Sequence, residues 1–445
     1  MCRRWSGGLN VMGEIGSGSL MVGLFFLFLI LRVPVAFSLG LSALVAMWQL
    51  GFGLDLVGDL LTAGIAKFSL LAIPFFILAG NLMGRLGIAD RMIRFFRVLV
   101  GDLPGGMGLV GTVVCLFWGA VSGSGPASVA AIGPMIIRSM EEDGFSKAFA
   151  AGLVSTGAAL SIVIPPSIGL VIYGVLAETS IADLFIAAII PGLVCGALML
   201  CALPFGRVGD AAATRALVPP PYPGLGYGAR LWRCFLDSFW GLMTPVVILG
   251  GIYSGIFTPT EAAIVASVYA LAVGALAYRT LNWSGLMQAL TDSAASSSVV
   301  MLVVAYAGLF GWVVTVDDLV GTYSGALLGL SSNEWVILAV IMLVLLICGM
   351  FMDAITIMFI CLPIFLPVAR ELGWDPIWFG VLVMVNLAIG LITPPVGINL
   401  YVAANITRLP LEKVARGALP FLLTSLIGLA VIAAVPALSL MLLGR

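Results

Sequence analysis

Histidine is absent from the 445 residues, and charged side chains are scarce. Asp, Glu, Lys and Arg together make up 9% of the chain, where a soluble domain carries about 25%. The missing histidine removes the ligand set that a membrane-embedded metallohydrolase typically needs. No G-x-x-x-x-G-K phosphate loop occurs, so nothing in the chain is built to take energy from ATP. The seven cysteines show no C-x-x-C spacing and mostly fall in apolar runs, which makes them small core residues. With a net charge of -1 and this hydropathy, no nucleic-acid partner is expected.

What the chain has instead is apolar surface. The hydrophobic fraction is 62% and the mean hydropathy is +1.19, the composition of an all-α polytopic membrane protein with room for about ten spans of ~20 residues. Runs that read as spanning helices cover 70–84, 146–176, 182–204, 236–257, 260–279, 297–316, 377–404 and 418–442. The stretch 19–50 is too long for one upright helix and short for two, with Arg32 and Pro34 in its middle. Arg3-Arg4 before it imitates an export signal without a small-residue cleavage site, so the first run is expected to be retained, and Met12 is an alternative start.

A repeat organises these runs. The shift that carries Pro165-Pro166 onto Pro394-Pro395 also carries Pro134 onto Pro363 and Pro191 onto Pro420. Chance at one chosen shift gives roughly 0.6 such matches. Glu142 and Gly144 fall on Glu371 and Gly373 under the same shift. Residues 106–140 form two arms, each too short to cross alone, around Ser122-Gly123-Ser124-Gly125-Pro126. Residues 335–369 do the same around Gly349-Met350-Phe351-Met352-Asp353. Both read as re-entrant hairpins, each followed by a helix that a Pro-Pro pair interrupts.

The expected organisation is an extension (1–18), a first half-unit (19–205) with hairpin 106–140 and broken helix 146–176, and a polar cytoplasmic linker (206–235) holding Pro219-Pro220-Pro221. A second half-unit (236–445) follows, with hairpin 335–369 and broken helix 377–404. Basic residues gather on one side of this layout, among them Arg85, Arg91, Arg94, Arg97, Arg138, Lys147, Arg207, Arg215, Arg230, Arg233 and Arg408. Only Arg370 and Arg445 fall on the other. The positive-inside rule makes the first side cytoplasmic, and five spans between the hairpins invert the second half-unit relative to the first.

The breaks carry the chemistry. Prolines 165, 166, 394 and 395 cannot donate to the carbonyls of Ser161, Ile162, Gly390 and Leu391, and freed carbonyls suit hard cations. Ser122, Ser124 and Asp353 add oxygens at the tips, with Thr156, Ser167, Thr356 and Thr393 close in sequence. At each tip a helix N-terminus faces the break, which favours an anion beside the cation. Asp353 fits either a cation site or a solvated helix cap, and Ser122 and Ser124 fit either a site or a capped Gly-rich turn. Asn386 and Asn399 flank the second break and read equally well as polar packing. Thr258-Pro259-Thr260-Glu261 spells a capping box, a structural feature, and Arg91, Arg94 and Arg97 form an interfacial stripe.

Six segments in order resemble one family: Ile73 to Asn81, Ser122 to Gly133, Ile164-Pro-Pro-Ser167, Gly251 to Ala263, Gly349 to Asp353, and Asn386 to Asn399. Together they resemble the large membrane subunit of tripartite ATP-independent periplasmic (TRAP) transporters, from near the first apolar run to the end. The resemblance implies a sodium-driven importer of organic acids in the bacterial inner membrane. It implies a soluble periplasmic binding protein, and a small membrane subunit that is expected to be a separate chain because only a short segment precedes the first apolar run. It also implies an elevator, with hairpins and broken helices sliding as one body. Carried over by motif, Ser122, Gly123, Ser124, Gly125, Pro126, Pro165, Pro166, Ser167, Thr393, Pro394 and Pro395 would line the substrate. Ser122, Ser124, Thr156, Ser161, Gly349, Asp353, Thr356, Gly390 and Thr393 would hold sodium, the coupling ion, with no covalently bound cofactor. The extension before Met12 and the linker proline run depart from the family pattern without touching the site. A stand-alone sodium/dicarboxylate symporter is the nearest alternative, and an ion channel the alternative of another class.

Overall fold

A computed structural model describes residues 16–100, 103, 105–206 and 221–444. The expectations on Arg3-Arg4, Met12, Arg207, Arg215, Pro219-Pro220 and Arg445 lie outside the described residues. Within them the chain is helical, with no strand. Seven helices are long and apolar enough to cross a membrane, and several shorter apolar helices stand between them.

The stretch 19–50 resolves into two helices, α1 (Ser17–Ile30) and α2 (Val35–Gln49), hinged where Arg32 takes a positive φ of 63° and Pro34 precedes α2. Then come α3 (Leu54–Ile65), α4 (Ala72–Arg85) and α5 (Ile88–Val100), the last carrying the arginine stripe. The first hairpin is α6 (Gly106–Ser122) and α7 (Gly125–Glu142). The first broken helix is α8 (Lys147–Leu160) and α9 (Ile168–Ala177), and α10 (Ile181–Leu200) closes this stretch.

After the undescribed segment, α11 (Tyr227–Tyr253) starts well ahead of its apolar run. Next, α12 (Pro259–Ala272) opens with the expected capping box: the Thr258 hydroxyl accepts from Glu261 N at 3.3 Å, and the Glu261 carboxylate accepts from Thr258 N at 2.8 Å. The helix α13 (Trp283–Val316) also begins earlier than hydropathy suggests, and α14 (Leu319–Leu330) follows it. The second hairpin is α15 (Glu334–Gly349) and α16 (Ala354–Glu371), and the second broken helix is α17 (Pro376–Gly390) and α18 (Ile398–Thr407). A long α19 (Leu411–Ala434) and a short α20 (Ala437–Leu440) end the chain.

Local geometry repeats with the sequence. Gly144 and Gly373 both take positive φ, 92° and 70°, just past the second arm of each hairpin, where a left-handed residue releases the chain from the helix. The same shift pairs Ser146 with Asp375, and each is the N-cap of its broken helix, accepting from Phe149 N in one case and from Ile377 N and Trp378 N in the other. The Pro165–Pro166 and Pro394–Pro395 peptide bonds are both cis.

The helices form two compact units. One gathers the described residues up to Phe68 with Ser296–Ile341 and Ile355–Trp374. There Gly40 admits the Tyr306 ring, Phe25 meets Phe310 edge-on at 5.9 Å, and Asp317 caps the start of α1 by accepting from the Ser17 hydroxyl and Gly18 N, both at 2.6 Å. The other gathers Ser69–Ala295, Met342–Ala354 and the residues from Asp375 on. Its core is α8 and α17, whose residues are buried almost without exception.

Candidate functional site

Both hairpin tips and both Pro-Pro breaks fall in this second unit, so their contacts belong to one body. At the first tip, α6 ends at Ser122, Gly123 turns with φ +60°, Ser124 is the N-cap of α7, and Gly125 and Pro126 open that helix. Ser124 makes no side-chain capping bond, which removes the capped-turn account of its hydroxyl. Its carbonyl accepts from the hydroxyls of Ser128 at 2.7 Å and Ser122 at 3.4 Å.

The tip lies against the first break. A Cβ on Gly123 would stand 3.4 Å from Ile168 N and 3.5 Å from the Pro166 carbonyl oxygen. One on Gly119, a turn earlier, would meet Ser161 Cα and Cβ, both at 2.5 Å, so α6 packs closely on the end of α8. The second tip and break repeat the arrangement. Gly349 touches Gly390, which holds the same place before Pro394 as Ser161 holds before Pro165. Gly397 N donates to the Met350 carbonyl at 3.1 Å.

The breaks retie part of what proline releases. The Ile162 carbonyl accepts from the Ser167 hydroxyl, the Gly390 carbonyl from Thr393 N at 3.1 Å and the Leu391 carbonyl from Asn399 N at 3.1 Å. Sequence reasoning missed this, since the prolines alone suggest open carbonyls. Each oxygen keeps a second lone pair. The nearby hydroxyls are back-bonded locally: Thr156 donates to the Gly152 carbonyl at 2.9 Å, Ser161 to Ala158 at 2.6 Å and Thr393 to Ile389 at 2.7 Å. With their protons placed on backbone carbonyls, these buried hydroxyls keep lone pairs as acceptors, and Ser161 Oγ lies 3.4 Å from Ser128 Oγ.

Pro165, Pro166 and Ser167 are buried, whereas Pro394 and Pro395 are exposed. Asp353 lies in the same unit, half-buried directly ahead of α16. Thr356 is buried in the other unit.

The two repeats also meet, which their spacing does not reveal. Asn399 Nδ2 donates to the Ser155 carbonyl at 3.0 Å, and the Ser155 hydroxyl to the Asn399 carbonyl at 3.4 Å. Asn386 Nδ2 donates to the Met342 carbonyl at 2.8 Å, tying α17 to the first arm of the second hairpin. Ser155 and Ser128 had no signal beyond being polar in apolar runs.

Interrupted helices, short hairpins and buried hydroxyl oxygens inside an apolar bundle define a multi-pass membrane permease. Residues 22–438 match the model of the DctM component of the tripartite ATP-independent periplasmic transporter. The chain belongs to that family, the large permease subunit of TRAP transporters, which is a transport component of the bacterial inner membrane and not an enzyme. It is 40% identical over 407 residues to the C4-dicarboxylate TRAP transporter large permease protein DctM of Pseudomonas aeruginosa, covering 91% of this chain and 93% of that protein. It is 37% identical over 411 residues to the sialic acid TRAP transporter large permease protein SiaM of Vibrio cholerae, covering 92% and 94%. The isethionate TRAP transporter permease protein DctMQ of Oleidesulfovibrio alaskensis is 37% identical over 454 residues, covering all of this chain and 69% of that protein. In fold, the chain is similar to the crystal structure of the Alcanivorax borkumensis YdaH transporter, with a TM-score of 0.62 at 14% identity, covering 96% of this chain and all of that one. Membership implies a small membrane subunit and a periplasmic binding protein as partners.

Proposed function

We propose that the chain is the permease subunit of a sodium-coupled, binding-protein-dependent secondary transporter that imports organic acids, C4-dicarboxylates or other carboxylates. The observation that carries this reading is the gathering of both tips and both breaks in one unit, with the hydroxyls of Thr156, Ser161 and Thr393 back-bonded so that lone pairs remain. A hard cation takes such oxygens. An anion takes the N-terminus of α7 at Ser124-Gly125, where backbone N–H groups and the helix dipole favour negative charge. Sodium and a carboxylate are therefore held together as co-transported species.

The substrate is delivered by a soluble binding protein, and a small membrane subunit of the same transporter is the second partner. Two half-units of opposite orientation, divided by the linker at 206–235, carry the site, and the hairpins and broken helices slide as one body in an elevator cycle. Uptake of labelled organic acids into vesicles, with and without sodium and with candidate binding proteins, tests the whole reading. Sodium-dependent uptake only with a binding protein is the expected result. Sodium-driven uptake without one indicates a stand-alone symporter, and ion conduction without substrate indicates a channel; either replaces this reading.

A further inference from the structure

Asn399 is 0% exposed, and its Oδ1 is buried with no hydrogen-bond partner. Leaving a buried amide oxygen unpaired is costly, and native proteins do so mainly where something else binds. The amide cannot rotate to relieve it, because Nδ2 is fixed on the Ser155 carbonyl at 3.0 Å. Its neighbour is the first hairpin tip: a Cβ on Gly125 would stand 3.0 Å from Oδ1, 3.1 Å from Nδ2 and 3.1 Å from Leu391 Cδ1. Any side chain at Gly125 would crowd the amide oxygen. Gly125 adjoins Ser124, whose hydroxyl caps nothing, and Leu391 supplies a carbonyl that the Asn399 backbone amide already orients at 3.1 Å. The repeat adds a contrast. The shift that superposes the two Pro-Pro pairs places Leu170 opposite Asn399, so this side-chain amide has no counterpart at the first break and cannot be a shared requirement of broken-helix packing.

Resting on the sodium-coupled reading above, we propose that Asn399 Oδ1 is a ligand of the co-transported cation, at a site made jointly by the first hairpin tip and the second break. Of the two species that reading brings here, a carboxylate offers only acceptors. The cation alone satisfies an orphaned acceptor. The positive end of α7 opposes a lone cation beside Gly125, so the site favours a cation that arrives with an anion, as symport requires.

The test is binding of 22Na+ to the purified full-length protein in nanodiscs, read together with the thermal shift that NaCl gives over choline chloride. N399L and N399A are expected to weaken sodium binding about ten-fold or more, whereas N399D, which keeps an oxygen in place, stays within about three-fold of wild type or binds more tightly. Wild-type sodium affinity in N399L or N399A overturns the assignment and leaves sodium coupling standing. Absence of 22Na+ binding to the wild type, both alone and with C4-dicarboxylates and other organic acids present, overturns the coupled reading itself, and the assignment with it. Should neither apolar variant fold, N399D decides: loss of sodium binding there overturns the assignment.

Discussion

Gly390 and Gly349 pass so closely that a Cβ built on Gly390 would stand 2.7 Å from Gly349 Cα. The contact is backbone against backbone, so no rotamer change relieves it. G390A or G349A is expected to destabilise the fold by about 1–3 kcal/mol, as overpacked cores do, and to displace the second hairpin from its break. Thermal unfolding of each variant in detergent checks the first effect. A drop of transport well beyond the loss of folded protein checks the second.

The second break depends on two missing N–H groups. In the variant P394A/P395A both amides are restored, and α17 can continue by capturing the Gly390 and Leu391 carbonyls. Expression and folding are expected to survive, because a continuous helix satisfies its backbone in lipid at least as well. Sodium-driven uptake is expected to fall by at least about ten-fold. Wild-type uptake would mean that the break is a mere kink.

Asp317 acts at a distance in sequence. Its carboxylate takes the Ser17 hydroxyl and the Gly18 amide, 300 and 299 residues away. Charge-assisted bonds of this kind contribute about 1.5–3 kcal/mol. D317A is expected to cost about that much, to expose the chain before α2 to limited proteolysis, and to leave the substrate KM unchanged. A raised KM at full folding would move Asp317 from fastening to function.

Thr258 offers a contrast. Its capping box is complete, and its residues touch no part of the candidate site in sequence or in hydrogen bonding. T258A is expected to lower stability by about 0.5–2 kcal/mol with transport per folded molecule unaffected, measured by uptake normalised to monodisperse protein.

Much of this arrangement is legible before folding. Residues 106–140 and 335–369 become helices of 17 and 18, then 16 and 18 residues, because an apolar arm satisfies its backbone in lipid by coiling into a helix that glycine ends at the tip; against expectation, Ala354–Glu371 is by itself long and apolar enough to cross. The Pro-Pro breaks fall where proline removes the donors. What hydropathy hides is decided by partners elsewhere in the chain. The first turns of α13 are polar and look like loop, yet Ser293 accepts from Asn81 at 2.8 Å and Gln288 from Arg85 at 3.1 Å, so that surface faces α4. The retied carbonyls of Ile162 and Leu391 depend on Ser167 and Asn399 curling back, a local geometry that the proline rule does not contain. The meeting of Ser155 with Asn399 is wholly tertiary, and one sequence carries no trace of it.

That meeting spans 244 residues, which bears on how the protein is made. When α8 and the first hairpin leave the translocon, the residue that pairs with Ser155 has not yet been synthesised. The early segment therefore lacks the Asn399 partner of Ser155 until α18 emerges. A chain truncated before Asn399 is expected to be degraded faster than the whole one, which pulse-chase labelling checks.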